Sequence, residues 1–172
     1  HNILSLSILS EKNDIDGIKQ YLKKENDLLG RKLFYYKTGN DAVDTILHIK
    51  SITAENSEIP FIINAEVPEN CRVTSTDFAS ILGNLIDNAI EASLKECNPF
   101  IEIKIKEFKK HLMIVVSNKS TLYNDELKTT KSDKHFHGIG LNSVKLTIEN
   151  YNGTLVIDQQ DEIFNITIMI LN

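Results

Sequence analysis

Asn84-Leu85-Ile86-Asp87-Asn88-Ala89-Ile90-Glu91 combines a polar stripe with an otherwise apolar helix. Its four polar residues, Asn84, Asp87, Asn88 and Glu91, are spaced i, i+3, i+4 and i+7 and therefore share one helical face. Asparagine is about 0.5 kcal/mol worse than alanine inside a helix, so two of them one turn apart indicate a task that outweighs helix propensity. Their oxygens suit Mg²⁺, which takes few protein ligands and keeps phosphates and waters. A solvated helix face is the alternative, although such faces usually carry Lys, Glu, Arg and Gln.

A second informative segment is Gly138-Ile139-Gly140-Leu141, at the start of another predicted helix. Glycine lets the backbone approach a ligand closely, and a helix N-terminus offers free N–H groups to phosphate. The segment is not a P-loop, and it lacks the third glycine and the preceding strand of a dinucleotide fingerprint. Alone it does not distinguish a phosphate site from a tight turn. Four apolar residues are predicted to face the core: Leu141, Val144, Leu146 and Ile148.

Hydrophobic periodicity predicts an α+β two-layer sandwich, in which helices cover one face of a mixed, mostly antiparallel sheet. A helical hairpin precedes it, with Asn13-Asp14 as the cap signal of its second helix and Gly30 as a stop. Period-two alternation is clearest at 100–108 and 163–171, and it is typical of half-buried strands. Predicted helices also cover 40–55 and the two segments above, and predicted strands cover 60–68, 100–108, 112–117, 154–160 and 163–171.

The length, net charge and cysteine content of the chain exclude several classes of function. The chain has 172 residues, enough for one core and a small appendage. Its net charge of −5 argues against nucleic acid as a partner. A lysine cluster at 104–110 alternates with apolar residues and predicts the wet face of an edge strand. Cys71 and Cys97 are too few for a disulfide framework or a metal site, which suits the cytoplasm, and no signal peptide or membrane-spanning run is visible.

Together the two segments resemble the GHKL ATP-binding fold, the superfamily of sensor histidine kinases, gyrase B and MutL. Residues 84–88 match its N box, and Gly138 to Leu141 match its second glycine box. The resemblance implies that ATP and Mg²⁺ bind between these two helices, with Asn88 coordinating Mg²⁺ and Asn84 contacting phosphate or the waters of the metal. The ATP-binding residues it implies are Asn84, Asp87, Asn88, Asn118, Lys131, Lys134, Gly138, Ile139, Gly140 and Leu141. Glu91 has either a water-mediated role beside the metal or a surface role.

Two of these assignments concern a strand end and a loop. Most relatives have Asp-x-Gly-x-Gly where this chain has Asn118-Lys119-Ser120. Asn118 keeps a carbonyl acceptor for the adenine amine, so adenine selection remains chemically possible. The polar segment between Ser117 and His137 is long enough for a lid, and its cations Lys131 and Lys134 are candidates for phosphate contacts.

A further departure concerns hydrolysis. Family members that hydrolyse ATP have Glu at the position of Asn84, where it activates water. An amide cannot accept that proton, so general-base hydrolysis should be poor. Histidine kinases are similar in having Asn there, which favours phosphoryl transfer to an imidazole.

The N-terminal residues refine the resemblance. Asn2-Ile3-Leu4 and the helix after Asn13 resemble the hairpin of peptide quorum-sensing kinases of the AgrC type. The implied organisation is a partial dimerisation and phosphotransfer hairpin at 1–32 and an ATP-binding catalytic domain at 33–172. In that group the phosphorylated His lies four residues before the Asn, which places the acceptor upstream of residue 1 and predicts that this fragment cannot autophosphorylate. Membrane helices are expected further upstream, so the chain would be the cytoplasmic part of a bacterial membrane-bound sensor.

The sequence therefore predicts the ATP-binding kinase core of a two-component sensor histidine kinase. Its expected partners are a response regulator and a second copy of the chain, bound through the N-terminal helices, with no nucleic acid and with membrane contact only through an upstream segment. Two alternatives remain open: a conformational ATPase of the same fold, or a nucleotide-free dimerisation or interaction module.

Overall fold

A computed structural model describes residues 2–28, 36–121 and 139–171. The chain divides into two compact units, His1–Phe34 and Tyr35–Asn172. The first contains α1 (Asn2–Glu11) and α2 (Ile15–Leu28). The Oδ1 atom of Asp14 accepts a hydrogen bond from the backbone N–H of Gly17 at 2.8 Å, so Asp14 caps the N-terminus of α2 as predicted.

In its described residues, 36–121 and 139–171, the second unit is a five-stranded sheet with three helices. The strand order is β1-β2-β3-β5-β4, with β1 parallel to β2 and every other pair antiparallel. This confirms the predicted α+β sandwich and its mixed, mostly antiparallel sheet. Its elements in chain order are α3 (Asp41–Asn56), β1 (Phe61–Ala65), α4 (Ser75–Ser93), β2 (Ile101–Phe108), β3 (His111–Lys119), α5 (Ile139–Glu149), β4 (Thr154–Gln160) and β5 (Ile163–Leu171).

The core lies between one face of the sheet and the helices. Alternate residues of β2, β3 and β5 are buried and stand side by side in the strand register, as a period of two requires. α4 covers this face with eight buried residues, including Phe78, Leu82 and Leu85. The inner row of the sheet consists of Ile101, Ile103, Ile105, Leu112, Ile114, Val116, Ile166, Ile168 and Ile170.

Two strand predictions were wrong in detail. β2 is not an edge strand, because β1 pairs with it in parallel through the crossover that includes α4; its lysines lie on a wet face but protect no edge. β1 also ends at Ala65 rather than at residue 68. The chain leaves the sheet there, since the N–H of Val67 bonds to the carbonyl of Thr38 at 2.7 Å.

In the described ranges, no helix has both the length and the apolar character needed to cross a membrane.

Candidate functional site

The first turn of α4 is fixed by a local hydrogen-bond network. Thr74 caps the helix by accepting from the N–H of Asp77 at 3.2 Å, and its hydroxyl donates to Asp77 Oδ2 at 2.7 Å. The hydroxyl of Tyr151, which follows α5, donates to the same carboxylate oxygen and accepts from the N–H of Thr74 at 3.2 Å. This network joins the beginning of α4 to the end of α5.

Asp77 should make stability sensitive to acid. Hydrogen bonds from Tyr151 and then Thr74 hold the pKa of its carboxyl below the ordinary value of 3.8. The stabilisation is therefore complete above the unfolded-state pKa and is lost as the pH falls through the folded-state pKa. We expect wild type to exceed Asp77→Asn in the free energy of unfolding at pH 7, and this difference to shrink below about pH 4. Urea unfolding at pH 7 and pH 3 measures it; an unchanged difference would contradict the assignment.

The polar stripe of α4 begins half-buried and becomes exposed. Asn84 is half-buried, and its Nδ2 donates to the carbonyl of Ser80 at 2.8 Å. This bond uses the amide nitrogen of Asn84 and leaves its Oδ1 atom available as an acceptor. Asn88 and Glu91 are exposed one and two turns further on. The stripe thus forms a polar surface on a helix whose opposite side is core.

The glycine segment meets this stripe at Asn84. α5 begins at Ile139, and a Cβ added to Gly140 would lie 2.8 Å from Asn84 Oδ1, closer than such atoms normally come. Any larger residue at this position would push the end of the Asn84 side chain aside, so glycine lets α5 pack closely on α4 with the Asn84 amide in this position. The two motifs, 50 residues apart in sequence, form one surface in the fold. In α5 as described from Ile139 onward, the first N–H groups have no partners within the helix.

One core prediction for α5 was wrong. Leu141, Val144 and Ile148 are buried, but Leu146 is 65% exposed. The buried residues follow i, i+3 and i+7, whereas a residue at i+5 points to the opposite side of a helix.

Asp87 is already paired. Its Oδ1 lies 2.6 Å from Nζ of Lys50, a residue of α3 whose side chain is only 15% exposed. At about 100° per residue, Asp87 and Asn88 lie on opposite sides of Asn84 around α4. Asp87 therefore faces α3. The sequence did not identify Lys50, because a single lysine on an amphipathic helix is an ordinary surface residue.

Asn118 lies at the end of β3 on the inner face of the sheet, 3% exposed and opposite Phe164 of β5. Its Nδ2 donates to the carbonyl of Lys119 at 2.8 Å. The last turn of α4 lies at this same end of the sheet, since Ser93 Oγ and the N–H of Lys119 both donate to the carbonyl of Phe100, at 3.5 and 3.4 Å. The polar stripe of α4 thus runs toward the end of the sheet that carries Asn118.

The side chains of Glu96 and Gln159 and the backbone of Glu162 hold the residues after Asn118. Glu96 Oε1 accepts from the N–H and the hydroxyl of Thr121 at 2.7 and 3.0 Å. Gln159 Nε2 donates to the carbonyl of Ser120 at 2.8 Å, and the N–H of Ser120 donates to the carbonyl of Glu162 at 2.8 Å. The sequence gave no sign of these partners, which are 25 to 42 residues from the groups they bind.

Lys131, Lys134 and Gly138 lie outside the described residues, and so do the other predicted lid residues. Of the predicted glycine box, the structure describes the helix from Ile139 onward, including the half-buried Gly140 and the buried Leu141.

The arrangement fits a magnesium nucleotide. It offers amide and carboxylate oxygens along α4, and the N-terminal part of α5 in contact with the first of them at Asn84, where Gly140 permits the close approach. It also offers the Oδ1 atom of Asn118, to which no described residue donates a hydrogen bond. Such a set has oxygens for a cation, N–H groups for phosphate and an acceptor for an amine.

Comparison with known proteins agrees with this geometry. The sensor histidine kinase DpiB of Escherichia coli (strain K12) is 29% identical over 51% of this chain, which spans 18% of the length of DpiB. The catalytic domain of the histidine kinase ThkA, in a nucleotide-free form, superimposes with a TM-score of 0.65 at 20% identity, over 78% of this chain and 94% of that one. Histidine kinase AdeS of Acinetobacter baumannii superimposes with a TM-score of 0.63 at 18% identity, over 96% of this chain and 84% of that one. These structures share the fold.

The family model for the GHKL domain matches residues 73–171, which include α4, β3, α5 and thus every described part of the candidate site. This protein therefore belongs to the GHKL domain family.

Proposed function

We propose that the chain is the ATP-binding core of a two-component sensor histidine kinase and binds Mg²⁺·ATP between α4 and α5. Asn88 would hold Mg²⁺, which would supply positive charge against the phosphates. Asn84 would contact phosphate or the waters of the metal, and the N-terminus of α5 would receive the phosphates. Asn118 would accept from the adenine amine. Lys131 and Lys134 are proposed as further phosphate contacts.

The observation that carries this proposal is the approach of Gly140 to Asn84. It brings the N-terminal part of α5 to Asn84, the first residue of a row of amide and carboxylate oxygens that by themselves would repel a polyphosphate. A cation held by these oxygens would supply the positive charge that a polyphosphate needs in order to bind beside them.

Phosphoryl transfer suits the site better than hydrolysis. Asn84 has no basic atom to activate water, and its amide nitrogen is bonded to the carbonyl of Ser80. We propose that the acceptor is a His upstream of residue 1, so that this chain binds nucleotide without autophosphorylating. Acid-labile phosphohistidine on the isolated chain would contradict that.

The proposed partners follow from the same assignment. A response regulator would take the phosphoryl group, and a second copy would pair through α1 and α2, which leave Ile3, Leu4 and Ile15 exposed in the single chain. The similarity of residues 2–21 to the AgrC type suggests quorum sensing and, through an upstream segment, attachment of a cytoplasmic kinase to the membrane.

Thermal unfolding with a non-hydrolysable ATP analogue tests the proposal. A ligand at about 100 times its Kd adds about 2.7 kcal/mol, which raises Tm by several degrees in a domain of this size. We expect this increase with Mg²⁺ and a much smaller one with EDTA. No increase at millimolar nucleotide would overturn nucleotide binding and favour the interaction module.

Two glycine substitutions separate binding from stability. Gly140→Ala should lower ATP affinity about tenfold or more, since the new methyl group displaces Asn84 Oδ1 and disturbs the contact between the two helices. Gly83→Ala is the matched control: its Cβ would meet nothing nearer than Ile46 Cδ1, at 3.9 Å. It should leave affinity unchanged and raise stability by up to about 1 kcal/mol through helix propensity. Calorimetric titration measures both; equal affinities for the two variants would exclude Gly140 from the site.

A further inference from the structure

We propose that Glu96 and Gln159 form a clamp that sets the amide orientation of Asn118 and thereby selects adenine. This inference rests on the proposed nucleotide site and adds to it two positioning residues. They act through the backbone of residues 119–121 and not by touching the base.

An asparagine can present either face of its amide to a base. Its oxygen accepts from the amine of adenine, but its NH₂ group, after a flip, would donate to the carbonyl of hypoxanthine or guanine. An aspartate has no such ambiguity, because an ionised carboxylate only accepts. A site that reads adenine with Asn118 therefore needs something to prevent the flip.

The structure supplies that restraint as a chain of contacts. Asn118 Nδ2 donates to the carbonyl of Lys119. The direction of this carbonyl therefore decides whether the Oδ1 atom or the NH₂ group of Asn118 is available to the base. The next carbonyl, of Ser120, accepts from Gln159 Nε2 at 2.8 Å. Glu96 then holds both the N–H and the hydroxyl of Thr121. These bonds fix the backbone on the far side of the Lys119 peptide.

The clamp also joins the elements of the site. Glu96 lies half-buried in the connection from α4 to β2, and Gln159 lies half-buried near the end of β4. Gln159, Phe164 and Asn118 stand in register across β4, β5 and β3. The orientation of the Asn118 amide is thus fixed relative to α4, which carries the polar stripe, and relative to the sheet.

The test compares binding of ATP and inosine triphosphate, which has a carbonyl in place of the adenine amine. Wild type should prefer ATP, and Glu96→Ala or Gln159→Ala should reduce this preference about five- to tenfold, the usual worth of one hydrogen bond. Glu96→Gln keeps an acceptor for Thr121 and should preserve the preference. Glu69→Ala removes an exposed glutamate elsewhere and is the control.

A second comparison isolates the flip. In an Asn118→Asp background, adding Glu96→Ala should leave the ratio of ATP to inosine triphosphate affinity unchanged, because a carboxylate cannot flip into a donor. Circular dichroism and Tm check that each variant is folded, and the two single clamp variants test the same claim independently.

The outcomes separate this inference from the proposed function. Binding of ATP with a preference that neither clamp variant alters, or with no preference in wild type, would overturn the clamp and leave the nucleotide site standing. Failure of wild type to bind either nucleotide would overturn both. A preference lost in Glu96→Ala and Gln159→Ala but retained in Glu96→Gln would establish the clamp.

Discussion

Replacing Asn88 by alanine is expected to remove the Mg²⁺-dependent part of the stabilisation by ATP, up to about 2.7 kcal/mol at 100 times the wild-type Kd. Asn88 is exposed on the flank of α4 away from the Lys50–Asp87 pair. Its side chain has no hydrogen bond to any described residue, so its removal breaks no hydrogen bond within the described ranges. Without ligand, the variant should be slightly more stable than wild type, because alanine is the better helix former.

Two variants accompany this measurement. Asn88→Asp keeps an oxygen ligand and should retain the dependence on Mg²⁺, while Asn70→Ala removes an exposed amide outside the site and should behave as wild type. Thermal unfolding of all four proteins, each with Mg²⁺·analogue and with EDTA, gives the comparison. A Mg²⁺-dependent shift that survives in Asn88→Ala would exclude Asn88 as the metal ligand.

Phe78→Ala should cost about 3–5 kcal/mol of the free energy of unfolding. Phe78 is 0% exposed, lies in α4 and belongs to the hydrophobic core between this helix and the sheet. Removing its ring leaves a cavity that the surrounding isoleucines and leucines fill only in part. Since small domains are stable by only about 5–15 kcal/mol, we expect Tm to fall by roughly 10 °C or more.

Phe108→Ala provides the matched comparison. This ring is 46% exposed near the β2–β3 turn, with Lys109 Nζ 5.3 Å from its centroid. Its loss should cost no more than about 1 kcal/mol, since little area is buried and the cation–π contact is solvated. Urea unfolding measures the loss of stability in both variants. Losses of similar size would contradict the burial of Phe78 in the core.

Most of the fold follows from local patterns in the sequence. The β4–β5 hairpin has the predicted bounds, 154–160 and 163–171. Alternation of apolar and polar residues is visible in the second strand, whereas the first is recognised by its apolar run, Leu155-Val156-Ile157. The position of β2 in the sheet was not predictable in this way. Alternation shows that one face of a strand is solvated but does not show which strands lie at the edges of the sheet. The parallel partner of β2 is β1, which precedes α4 in the chain.

The candidate site likewise contains residues that local sequence patterns predict and residues that they do not. Asn84, Asn88 and Gly140 could be selected from the sequence, because helical spacing and glycine each have a local physical meaning. Lys50, Glu96 and Gln159 could not, since their roles depend on contacts across 37, 25 and 39 residues of chain. Each is a common polar residue in an ordinary surface position until the fold brings its partner near.

α4 places the core and the polar stripe on two sides of one helix, and this constrains how the protein can evolve. Deleting or inserting one residue between Phe78 and Asn84 would turn the two halves of the helix by about 100° relative to each other. Amides would then enter the core while leucines faced the ligand. Substitutions can change either face separately, but a change in length alters both together. The spacing within residues 75–93 should therefore be more strictly preserved than the identity of most residues in it.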